Sequence, residues 1–78
     1  MAHPHRVIAS LGAVLADVRR ERGLTQEELS HRTGVHRNYI GGIERGERTP
    51  TVETIATLAD ALDFSLGELF TRAESPSE

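Results

Sequence analysis

The sequence predicts an all-α domain built from short helices. Three observations carry this. Apolar residues recur at helical spacing, as in Ile8, Leu11, Leu15 and Val18. Two Ser/Thr-x-x-Glu capping boxes, Thr25 with Glu28 and Ser65 with Glu68, mark helix starts. No stretch shows the period-two alternation of a half-buried strand, and no internal repeat or low-complexity segment is present.

The bulk numbers narrow the function. Seventy-eight residues make one small domain, which buries about 60–65% of its unfolded surface. There are no cysteines, so neither a disulfide nor a thiolate metal site can staple it. No apolar run approaches the roughly 18 residues of a membrane span, and no signal peptide is recognisable, so the expected location is the cytoplasm without membrane contact. All nine basic residues are Arg, a side chain suited to phosphate and guanine. The net charge of −3 is unevenly spread. Residues 1–48 hold eight Arg against six acids, and residues 49–78 hold one Arg against six acids. A nucleic-acid face therefore belongs to the first part, and the acidic part should face away from it.

Taken in order, residues 1–7 read as a tail or the start of the first helix, Pro4 being suited to a first helical turn. Met-Ala-His with a free amino terminus has square-planar copper or nickel spacing at His3, but loss of Met1 would destroy it, and a disordered end is the preferred reading. Residues 8–71 form the domain. Arg6 to Arg22 is an amphipathic helix carrying Val7, Ile8, Leu11, Val14, Leu15 and Val18, stopped by Gly23. Arg19, Arg20 and Arg22 crowd its last turn, which fits either phosphate contact or compensation of the helix dipole.

Thr25 to Arg48 then reads as two helices around a tight turn. The capping box opens the first, Leu29 is its apolar anchor, and Gly34 ends it through a left-handed backbone. Ile40 and Ile43 lie on the inner face of the second. These offsets are the sequence form of a helix-turn-helix, whose second helix ordinarily enters the DNA major groove. Gly41-Gly42 is costly inside a helix, at about 1 kcal/mol per Gly relative to Ala, and suggests a close backbone approach. Pro50 stops this helix and Thr51 caps the next, with Val52, Ile55, Ala56, Leu58, Ala59 and Leu62 as its apolar stripe. Ser65 opens a last short helix with Leu66, Leu69 and Phe70. Residues 72–78 read as a disordered acidic tail.

The segment GLTQEELSHRTGVHRNYIGGIERGERTPTVETIATLADALDFSLGELF resembles the phage-repressor-like helix-turn-helix family, also called the XRE family. Within it, GVHRNYIGGIERGERTP is most similar to the small controller proteins of bacterial restriction–modification systems. The resemblance covers about residues 10–70. It implies a compact five-helix fold, a DNA-reading unit formed by the second and third helices, and homodimers on palindromic operators. By position it implies that Gln26 anchors to a DNA phosphate, and that His36, Arg37 and Asn38 begin the recognition helix and reach base edges. Gly42 matches a base-reading position but has no side chain. Tyr39, Arg45 and Arg48 fall where the family contacts the sugar-phosphate backbone. The chemistry of Arg37 and Asn38 supports this independently, since Arg pairs bidentately with guanine and Asn with adenine.

The sequence therefore predicts a sequence-specific regulator of transcription bound to double-stranded DNA as a homodimer. An antitoxin or protein-interaction module, with a toxin partner and secondary DNA binding, is the alternative. The dimer surface is expected at Phe64, Leu66, Leu69 and Phe70, in the acidic part that does not face DNA. No cofactor and no metal is expected. His31 and His36 lack Cys or acidic partners at ligand spacing. No nucleophile-elbow pattern is present, and the chain is not expected to be an enzyme.

Overall fold

The computed structural model describes residues 4–75. Five helices follow one another: α1 (Pro4–Glu21), α2 (Gln26–Thr33), α3 (Arg37–Glu44), α4 (Val52–Ala61) and α5 (Leu66–Glu74). Among the described residues there is no strand. Pro4 takes the first position of α1, where its missing N–H has no intrahelical partner to lose. His3 lies outside the described residues.

Local signals set most boundaries. Thr25 and Glu28 form a complete capping box: the Glu28 N–H donates to the Thr25 hydroxyl at 3.0 Å, and the Thr25 N–H donates to the Glu28 carboxylate at 2.8 Å. The Thr25 N–H, and after it the Thr25 side chain, hold the Glu28 carboxyl below its ordinary pKa. The stability this adds is present at neutral pH and is lost as pH falls through that lowered value. Gly34 ends α2 with φ 78°, in the left-handed region. Thr33 bridges the same end, its hydroxyl donating to Leu29 O at 2.8 Å and accepting from Val35 N at 3.1 Å. The box expected at α5 is only half made. Ser65 accepts from Glu68 N at 3.1 Å, but the Glu68 carboxylate turns to Arg72, 3.6 Å away.

One core unites the helices. Leu11, Leu15 and Val18 of α1 meet Leu29 of α2, Ile40 and Ile43 of α3, Ile55, Leu58 and Ala59 of α4, Leu62, and Leu69 and Ala73 of α5. Helix α1 packs on α5 and α3, α2 on α3 and α4, and α4 on α5. The stripe of α4 is thus the 55, 58, 59, 62 series, with helical spacing. Val52, expected in it, is 70% exposed, and Ala56 is exposed as well.

Two expectations are corrected here, the tail from residue 72 and the place of Leu69. Helix α5 runs to Glu74, so residues 72–74 are helical and Ala73 is buried in the core; residues 76–78 lie outside the described residues. Leu69, expected at a dimer surface, is 0% exposed and belongs to the intramolecular core, because the 66, 69, 70, 73 spacing turns residue 69 squarely toward α1 and α4. Phe64 is half-buried, its ring held between two guanidinium groups, Arg22 at 5.8 Å and Arg72 at 5.0 Å from its centroid. Leu66 and Phe70 are also half-buried against the core.

The Arg cluster at the end of α1 separates into three roles. Arg19 is buried in an ion pair with Glu44. Arg20 makes an exposed pair with Asp17 at 3.4 Å. Arg22 donates to Leu62 O at 2.9 Å, capping the end of α4.

Candidate nucleic-acid interface

The site is α3 with the ends of its neighbours. One face of α3 is fixed in the core by Ile40 and Ile43. Gly12 sets its depth, because an ideal Cβ there would lie 1.9 Å from the Ile43 carbonyl oxygen. Helix α1 thus crosses α3 backbone to backbone.

Its far end is fixed by a buried network. Arg19 grips Glu44 with two hydrogen bonds, from Nε to Oε2 at 2.7 Å and from Nη2 to Oε1 at 3.0 Å. The side chains are 9% and 6% exposed. The Arg19 Nη1 also donates to Leu24 O at 2.7 Å, and Gln26 Nε2 donates to Glu44 Oε1 at 2.8 Å. One carboxylate therefore joins the end of α1, the start of α2 and the end of α3. No buried side-chain polar atom among the described residues is left unsatisfied.

The opposite face of α3 is open. His36 is the N-cap, its Nδ1 accepting from Asn38 N at 3.0 Å. It has this structural role besides the expected one: the ring holds the first turn of α3 while remaining exposed. Arg37 and Asn38 are exposed on that first turn. Arg37 has only a loose surface partner, Glu27 at 3.8 Å, and such a pair is worth about 0–1 kcal/mol. It is therefore easily exchanged for a stronger acceptor. Gln26 keeps one amide N–H beyond the one given to Glu44, since an amide has two. A second acceptor such as a phosphate can take it.

Gly41 and Gly42 make room for side chains of this protein. A Cβ at Gly41 would stand 3.0 Å from Arg45 Nη1 and 3.4 Å from Gln26 Oε1. At Gly42 it would stand 2.4 Å from Arg48 Cγ. Gly42, expected at a base-reading position, is buried: the Arg48 side chain occupies the space beside its backbone. Arg45 pairs with Glu47 at 3.1 Å on the exposed turn after α3. The Arg48 guanidinium lies 5.4 Å from the centroid of the Tyr39 ring, and His36, Asn38, Tyr39 and Arg48 together line a recess.

The expected residues thus gather around α3: Gln26, His36, Arg37, Asn38, Tyr39, Arg45 and Arg48. Sequence reasoning missed Arg19 and Glu44, which hold this surface in place. Helical period alone gives no sign that residues 25 positions apart are paired; a basic residue falling at a core-facing position was the available signal. Among the described residues, no helix is long and apolar enough to cross a membrane.

Known proteins agree with this architecture. The sequence profile of the helix-turn-helix family matches residues 15–69. An uncharacterized HTH-type transcriptional regulator, y4dJ of Sinorhizobium fredii, is 49% identical over 61 residues, which are 78% of this chain and 79% of that protein. The crystal structure of the restriction-modification controller protein C.AhdI from Aeromonas hydrophila superposes with TM-score 0.77 at 40% identity, over 80% of this chain and 94% of that one. The controller C.Esp1396I, crystallised as a tetramer in complex with its natural 35 base-pair operator, superposes with TM-score 0.78 at 30% identity, over 86% of this chain and 88% of that one. The five helices, the α2–turn–α3 unit and these likenesses lead to one conclusion: the chain belongs to the XRE family of helix-turn-helix transcriptional regulators.

Proposed function

We propose that this regulator binds a specific double-stranded DNA operator as a homodimer in the cytoplasm, in the manner of a restriction–modification controller. One observation carries the reading. Arg37 and Asn38 stand exposed on the first turn of α3, while Ile40 and Ile43 lock the other face of that helix into the core. A rigid helix presenting a guanidinium and an amide together is the arrangement that reads guanine and adenine in the major groove. Gln26, Tyr39 and Arg45 flank it as phosphate contacts.

Two copies double the contact set on one duplex, with half-sites centred about 34 Å apart. The self-complementary surface is sought on the acidic side, at Leu66 and Phe70, which are half-buried in the single chain.

The test is a titration of the duplex upstream of the protein's own gene against a scrambled duplex, at several salt concentrations. Specific binding is expected only to the first. Log affinity should fall with log salt at a slope of about −0.9 for each phosphate neutralised. Arg37→Ala is expected to cost about 1–3 kcal/mol on the operator and relax the preference at one base position per half-site. Asn38→Ala should do the same at a neighbouring position. Equal, weak binding to both duplexes would overturn the proposal.

A further inference from the structure

We propose that Gly42 is a positioning residue that routes Arg48 across the recognition helix, so that the Arg48 guanidinium reads a guanine edge instead of neutralising a phosphate. The proposal rests on the DNA-binding reading above and adds a reader supplied from outside α3.

The path of Arg48 is defined at both ends. The α3–α4 turn folds back onto one carbonyl, with Glu47 N and Arg48 N both donating to Gly42 O, at 2.8 and 3.2 Å. The stem of Arg48 then passes directly over Gly42. A Cβ there would lie 2.4 Å from Arg48 Cγ, 3.4 Å from its Cβ and 3.6 Å from its Cδ. Any side chain at position 42 closes that path. Beyond it, the guanidinium reaches the face of Tyr39, one helical turn earlier, at 5.4 Å from the ring centroid. Its neighbours around the recess are His36 and Asn38, at the start of the recognition helix.

The charge is also uncommitted. Arg19, Arg20, Arg37, Arg45 and Arg72 each have a carboxylate within 4.0 Å, and among the described residues Arg48 has none. A position over the Tyr39 ring uses none of the guanidinium N–H groups, so its donor fork stays available. In the major groove that fork matches O6 and N7 of guanine. A phosphate contact would need neither the ring nor the channel, since a point charge on the exposed turn suffices.

The experiment is selection from a randomised duplex, with salt titrations, on the full chain and four variants: Arg48→Ala, Arg48→Lys, Gly42→Ala, and Gly42→Ala with Arg48→Ala. Arg48→Ala is expected to weaken operator binding roughly ten- to a hundredfold and to erase the preference at one position per half-site, leaving the salt slope unchanged. Gly42→Ala should lose the same position although Arg48 is intact. Its thermal midpoint should stay near that of the wild type, because the helix preference of Ala offsets the displacement of the Arg48 stem. The double variant should bind no more weakly than Arg48→Ala alone. Arg48→Lys keeps the charge without the fork and should also lose that position, which keeps the test open should Gly42→Ala not fold. Uniform weakening of all sequences by Arg48→Ala with a flatter salt slope, or wild-type base preference in Gly42→Ala or Arg48→Lys, would overturn the proposal while leaving specific binding by the wild type in place. A wild type without any base preference would instead sink the DNA-binding reading itself.

Discussion

Glu44→Ala is expected to destabilise the domain by about 3–5 kcal/mol, because removing one partner of a buried ion pair strands the other charge. The stranded group is Arg19, 9% exposed in its side chain and left with Leu24 O as its remaining partner. A domain of this length has only about 4–12 kcal/mol in total. The thermal midpoint should therefore fall on the order of 10–30 °C. Arg19→Met with Glu44→Leu should restore much of the loss, since an apolar pair of similar volume does not bury an uncompensated charge. Urea unfolding of the wild type and these variants measures both. A loss below about 1 kcal/mol for Glu44→Ala would place the pair in the range of solvated surface bridges and contradict its burial. The substitution also frees Gln26, which loses its acceptor on Glu44. DNA affinity should then drop beyond what the folded fraction explains.

Gly12→Ala is the second large effect. In a helix interior the exchange ordinarily stabilises by about 1 kcal/mol. Here the new methyl group would sit 1.9 Å from Ile43 O and 2.9 Å from Ile43 C, both backbone atoms that cannot rotate away. Helices α1 and α3 must part, which loosens the core that Leu11 and Leu15 share with Ile40 and Ile43. Overpacking costs about 1–3 kcal/mol, and with backbone atoms in the way the cost belongs at the upper end. Less the helix gain, the net change should be destabilising by about 1–2 kcal/mol. Gly67→Ala is the control. Its Cβ meets only Ser65 Oγ, at 3.7 Å, and the change should be neutral or stabilising by up to about 1 kcal/mol. Opposite signs in thermal melts support the crossing. Equal signs contradict it.

These two sites mark the limit of what the sequence made legible. The sequence leaves the start of α1 open, and Pro4 fills its first position. The bounds of α2 were readable because their causes are local: the Thr25 and Glu28 box at its start and the left-handed Gly34 at its end. The helix-turn-helix was readable for the same reason, since Leu29, Ile40 and Ile43 keep fixed offsets around Gly34. The close crossing at Gly12 was not, because a glycine in a helix carries no sign of what approaches it. Gly41 and Gly42 signalled a close approach correctly, but the approaching groups are Arg45, Gln26 and Arg48. The three arginines ending α1 look alike in sequence and have three fates set by partners distant along the chain. The sequence offers the apolar residues of α5 as candidates for a dimer surface because so small a core cannot hold all of them, and it does not say which go inside. Leu69 went inside, and α5 extended one turn to place Ala73 there too.

The central claim is that the open face of α3, with the residues flanking it, engages the major groove. Backbone amide shifts of the labelled protein, followed as a duplex recovered by binding-site selection is added, test it most directly. The account predicts that the largest changes fall on Gln26, on His36 to Tyr39, and on Arg45 to Arg48, with small changes along Val52–Ala61 and Leu66–Glu74 apart from any dimer contact. Changes concentrated on those last two helices, with residues 36–39 unmoved, would contradict it.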